Sequence, residues 1–147
     1  VATAGFQAGA AALVLKINAV KARPVFFETW ARVANDPIYS ANGFPKTPAA
    51  MQLVLRTEYQ KAASASGGIM AAVGDAWEHS LAQQPTVVLH SGDGSHPAVS
   101  GSYLAACVFY LVLTKKTVIS QPVAAPAGLS EGDAAKLRAI AEATVGG

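Results

Sequence analysis

Residues 85–106 read PTVVLHSGDGSHPAVSGSYLAA. Pro85 is followed by Thr86-Val87-Val88-Leu89, a run rich in β-branched residues that predicts a strand. His90-Ser91-Gly92-Asp93-Gly94 then has the composition of a loop, because these small and polar residues favour turns over regular ladders. From Pro97 or Ser100 the chain turns apolar as far as Leu113, which predicts a long helix. A strand that passes through a short polar loop into a helix is the unit from which parallel α/β sheets are built. The rest of the chain is informative to the extent that this unit recurs.

It recurs twice upstream. Pro24-Val25-Phe26-Phe27 is an unbroken apolar run, as expected for a strand covered on both faces in a parallel sheet, and it ends at Glu28-Thr29-Trp30. Residues 33–48 contain Asn, Asp, Gly and three prolines and predict a loop. Thr47-Pro48 supplies an N-cap and a proline at the first helical position. Met51, Val54, Leu55, Glu58, Tyr59 and Ala62 follow at helical spacing, and Gly67-Gly68 supplies the stop. Ile69 to Val73 predicts a second buried strand closed by Gly74-Asp75, with a short helix through Trp77 to Ala82. At the front, Phe6, Ala10, Leu13, Val14 and Ile17 share one stripe over residues 1–19, an amphipathic helix. At the back, a proline-punctuated coil from Thr117 to Pro126 precedes Ser130 and Asp133, whose spacing is that of a capping box, and a final helix carrying Leu137 and Ile140.

Alternation of this kind predicts right-handed crossovers and a three-layer α/β/α sandwich on a parallel sheet. Three strands are few for that architecture, which more often has about five. Residues 1–147 therefore read as a single domain that is partial on its N-terminal side.

Composition narrows the function. With 52% hydrophobic and 14% charged residues the chain is not a disordered tail. A net charge of +2 without any block of like charge implies no nucleic-acid partner. The single Cys107 excludes an intrachain disulfide and a thiolate metal cluster, and its place in the apolar run Leu104 to Leu113 makes it a buried small hydrophobe. That run is well short of the ~20 residues of a membrane helix, so a soluble protein without a membrane span is expected. The three histidines, His79, His90 and His96, form no His-x-x-x-His or His-x-His pair, and no Lys-Ser/Thr follows Gly67-Gly68, so neither a metal nor a phosphate-bearing cofactor is implied. No basic leader precedes an apolar segment, and the compartment, secreted or periplasmic among others, is not legible.

In parallel sheets ligands bind outside the carboxyl ends of the strands. Here those ends are Glu28-Thr29-Trp30, Gly74-Asp75-Ala76-Trp77 and His90 through His96. An Asp three residues ahead of a His in a glycine-containing loop can turn its carboxylate onto one imidazole nitrogen and leave the other free as a general base. Asp93 and His96 are thus the candidate orienter and base for a hydroxyl nucleophile. Glu28 and Asp75 are candidates to line a substrate pocket or act as an acid/base pair, against solvated or capping carboxylates, and Trp30 and Trp77 to stack on a sugar ring or to pack.

Asp93, His96 and Pro97, followed by Gly101, Tyr103, Leu104, Ala105 and Ala106, resemble the last conserved block of the SGNH (GDSL-type) hydrolases, Asp-x-x-His-Pro leading into a helix that begins Gly-x-Tyr-Leu-Ala-Ala. Phe27-Glu28-Thr29-Trp30-Ala31-Arg32, Met51-Gln52 with Leu55 and Tyr59, and Val73-Gly74-Asp75-Ala76-Trp77 are similar to a bacterial branch of that family. The resemblance implies a flavodoxin-like α/β/α fold and metal-free hydrolysis of an ester, often an acyl group on a sugar or lipid, by a Ser-His-Asp triad. The departures are as informative. The family's nucleophilic serine lies in a Gly-Asp-Ser-Leu-like motif near the N-terminus, and no Gly-Asp-Ser occurs here. The block that gives a glycine N–H to the oxyanion hole is expected before residue 1. The block with the oxyanion-hole asparagine is replaced by Glu28-Thr29-Trp30-Ala31-Arg32. Ser91, Ser95, Ser100 and Ser102 lie near His96, with Ser95 too close along the chain to approach the ring nitrogen distal to Asp93. The alternative expectation is a non-catalytic α/β domain that pairs with another chain or another copy through an exposed sheet edge.

Overall fold

The structure, a computed structural model, describes residues 3–120 and 123–146. Val1 and Ala2 of the expected first helix, and Gln121 and Pro122 of the expected coil, lie outside the described residues. In chain order the elements are α1 (Thr3–Ala19), β1 (Val25–Phe27), α2 (Pro48–Ser66), β2 (Ile69–Ala71), α3 (Val73–Gln83), α4 (Val99–Thr114) and α5 (Glu131–Gly146), with a 3-10 turn at Pro37–Ser40. The local signals act where the sequence puts them. The Thr47 hydroxyl accepts from the Ala50 N–H and Pro48 opens α2, which ends on Gly67 at φ +63°. Ser130 accepts from the Asp133 N–H at the start of α5.

β1 and β2 pair in parallel, Val25 opposite Ile69 and Phe27 opposite Ala71, with α2 as the crossover between them. Among the described residues these two strands are the whole sheet. The fold is thus mixed α/β, mostly helical around a short parallel pair. The expected third strand does not form. Val87 and Leu89 are buried, but Val88 between them is 69% exposed, so the segment is covered on one face only. Its acceptors are used by the next element: Leu89 O takes the Ala98 N–H and Val88 O takes the Ser100 hydroxyl. With two of the four carbonyls of residues 86–89 turned to α4, the segment makes no ladder with β2 among the described residues. β2 is also shorter than expected, because Val73-Gly74-Asp75 already belong to the first turn of α3.

The core lies among α3, α4 and α5. Trp77, Leu89, Leu104, Leu137, Val73, Val108 and Val118 are its largest fully buried apolar side chains. Cys107 is buried with them, and burial pushes its thiol up to about 11, leaving an unreactive small hydrophobe. α1, by contrast, has no buried residue. Its predicted stripe of Phe6, Ala10, Leu13, Val14 and Ile17 lines an open apolar groove of about 420 Å³ against β1 and Tyr59.

Candidate active site

His90 and Pro97 form an antiparallel bridge, and the Ser91 N–H donates to His96 O at 2.8 Å, closing residues 91–96 into a short loop at the base of α4. Asp93 organises that loop. Its Oδ1 accepts from the backbone N–H groups of Ser95 and His96, both at 2.9 Å, and from the Ser91 hydroxyl at 2.8 Å. Its Oδ2 faces His96 Nδ1 at 2.5 Å. Four donors on one carboxylate hold Asp93 well below the usual carboxylate range, the imidazole first and the two backbone N–H groups next. The pair is open to water, His96 at 79% and Asp93 at 50% side-chain exposure. With Nδ1 committed to Asp93, Nε2 is the nitrogen presented outward, the arrangement of an oriented general base.

Two contacts tie this loop to the segment after β1. Trp30 Nε1 donates to Ser95 O at 3.0 Å, and the Val33 N–H to Gly94 O at 3.1 Å. Gly94 is at φ +70°, and a Cβ there would lie 2.4 Å from Val33 Cγ2. Only glycine satisfies both the turn and the close approach.

Residues 28–31 are themselves pinned from inside. Glu28 is fully buried, its Oε1 accepting from Gln52 Nε2 at 2.6 Å and its Oε2 from the Asp75 N–H at 3.2 Å. Gln52, on α2 and 2% exposed, returns its Oε1 to the Ala31 N–H at 2.9 Å. A ring nitrogen of the buried His90, Nε2, lies 3.0 Å from Ala31 O. Burial, and then the charge of Asp75, push the Glu28 carboxyl up to about 8. Asp75 is engaged in turn by Arg56 Nε at 2.6 Å, and Arg56 reaches Glu78 at the same distance. Gly74 has no room for a side chain, since a Cβ would meet Gln52 Nε2 and Thr29 O at 2.2 Å.

The predicted residues thus fall into two groups. Asp93 and His96 meet in the outward loop, while Glu28 and Trp77 are withdrawn from solvent. Trp77, 1% exposed, stacks on Trp30 with ring centroids 4.0 Å apart and planes 5° apart, and His90 meets the same indole edge-on at 5.1 Å. Of the nearby serines, Ser91 is bonded to Asp93 and Ser100 to Val88 O. The sequence reading gave Gln52 no part in this site. Its signal was present: Gln52 shares a helical stripe with Leu55, Tyr59 and Ala62, where a polar residue needs a partner.

No family model matches the sequence, and no curated protein matches it. Among solved structures, a DUF4886 family protein from Bacteroides uniformis ATCC 8492 aligns over 96% of this chain with a TM-score of 0.78 at 20% identity. A "putative SGNH hydrolase" from Slackia heliotrinireducens aligns over 75% with a TM-score of 0.64 at 27% identity. The likeness is to an SGNH-like fold. This chain spans 57% of the first of those proteins and 56% of the second, a little over half of each.

Proposed function

We propose that this chain is the part of an SGNH-type ester hydrolase that carries the general base, His96, and its orienter, Asp93, and that 1–147 is one partial domain of the three-layer kind. The observation that supports the reading is the 2.5 Å contact between Asp93 and His96 Nδ1 in a loop that leaves Nε2 facing water. In such a reaction Nε2 takes the proton of a serine hydroxyl as its oxygen attacks the ester carbonyl. The Asp93 carboxylate stabilises the imidazolium, which then returns the proton to the leaving alcohol. Water repeats the sequence on the acyl-enzyme. The serine and its oxyanion donors belong to a segment outside these residues, so this chain alone is a poor catalyst. Trp30, after β1, and Asp75, in the first turn of α3, both partly buried, are the substrate-side candidates, with Glu28 and Trp77 buried behind them. The substrate is a small-molecule ester, an acyl group on a sugar or lipid. In a polypeptide that includes the serine, Asp93→Asn lowers ester hydrolysis by about 10⁴-fold and His96→Ala by about 10⁶-fold. Unchanged rates would refute the assignment.

The groove between α1 and β1 favours a second reading. Among the described residues β1 has a strand partner on one edge only, and the α1 side chains facing the groove are apolar. A free strand edge beside an uncovered apolar face suits pairing with a further strand, from another chain or another copy, whether or not the rim is catalytic.

A further inference from the structure

Glu28 and Gln52 are buried, polar and absent from the chemistry above. We propose that they are positioning residues: the Gln52 side chain, oriented by the Glu28 carboxyl, fixes the backbone of residues 29–31, and this strap in turn holds the loop that carries Asp93 and His96. The bonds form one continuous path. Gln52 binds Glu28 through Nε2 and the Ala31 N–H through Oε1, so its amide is used at both ends. Trp30 and Val33, on either side of Ala31, donate to Ser95 O and Gly94 O. Gly94 and Ser95 are the two residues between Asp93 and His96, so the strap is bonded to the turn in which that pair meets. Gln52 also lies 3.4 Å from Thr29 O through Nε2, so it meets the strap at both ends.

The device has two states because Glu28 has two. The groups that act on it directly are Gln52 from α2 and Asp75 from α3; beyond them Arg56 of α2 bonds Asp75 and Glu78 of α3, and His90 meets Ala31 O. Arg56 is spent on Asp75 and Glu78, which leaves Glu28 without a cation. While neutral, Glu28 accepts from Gln52 and the Asp75 N–H at little cost. Once ionised, it is a buried charge beside a second carboxylate; the bonds from Gln52 and the Asp75 N–H favour the charged form, but burial and the Asp75 charge outweigh them, so ionisation opens the strap to water. The loop is held most firmly on the acid side of about 8.

The consequence for catalysis rests on His96 being the base, but the contact is testable without hydrolysis. The probe is hydrogen exchange at the Trp30 indole N–H, one of two in the chain, and at the Val33 amide, with α5 amides as the control for global folding. At pH 7, Gln52→Leu is expected to lower protection at both probes by about tenfold, with α5 unchanged. Between pH 7 and 9 the native chain is expected to lose protection at Trp30, corrected for intrinsic exchange, and Glu28→Gln to retain it. Native-like protection in Gln52→Leu, or an undiminished pH effect in Glu28→Gln, would overturn the proposal. If Gln52→Leu does not fold, the Glu28→Gln comparison decides alone. Absence of ester hydrolysis in a polypeptide that includes the serine, with the protection changes as expected, would count against the hydrolase reading and leave the strap standing.

Discussion

At the scale of single residues, the loop depends on Gly94 as much as on Asp93. Its positive φ and the 2.4 Å approach of Val33 to any Cβ act together, so Gly94→Ala is expected to destabilise the chain by about 1–3 kcal/mol, measured by urea unfolding. Glu28 has the opposite kind of signature, in pH. Its carboxyl titrates near 4.5 when unfolded and near 8 when folded, so between those values the folded chain holds a proton that the unfolded chain has lost. Stability from this group is therefore complete below about 4.5 and is lost as pH rises through about 8. Glu28→Gln should flatten that decline; a native-like slope in the variant would mean that another group causes it. Asp93 behaves conversely: held below the usual range by its donors, it stays a carboxylate in mild acid, so the proposed orienter keeps its charge at pH values where an ordinary aspartate is half protonated.

Among the elements, legibility followed locality. The Thr47 and Ser130 caps, the Gly67 stop and the helices they bound were readable because each signal acts within a turn of the chain. Thr47→Ala is expected to cost about 1 kcal/mol, checked by thermal unfolding, since it removes the acceptor of the Ala50 N–H. Thr86-Val87-Val88-Leu89 misled because strand propensity cannot report whether a neighbour is available, and here α4 takes the acceptors. The site divides along the same line. Asp93 and His96 lie three residues apart and were visible as a pair. Gln52 meets Glu28 across 24 positions, and only the fold brings them together.

For the molecule as a whole, the core is one-sided. α3, α4 and α5 bury their contacts, while α1 buries none and lines the groove along β1. An apolar face of this kind is expected to drive association of the isolated chain, seen by light scattering as a mass that rises with concentration. Leu13→Lys, a substitution in the groove wall at an already exposed position, should shift it towards monomer. A native chain that stays monomeric would show the groove to be closed in solution.

The central claim is that His96 activates a serine supplied from outside residues 1–147. Labelling with a fluorophosphonate, which reacts with base-activated serines, followed by peptide mapping, tests it most directly. The account predicts no label on this chain alone, and in a polypeptide that includes the serine, a label at one serine outside these residues that disappears in His96→Ala. A labelled serine that survives His96→Ala would contradict it.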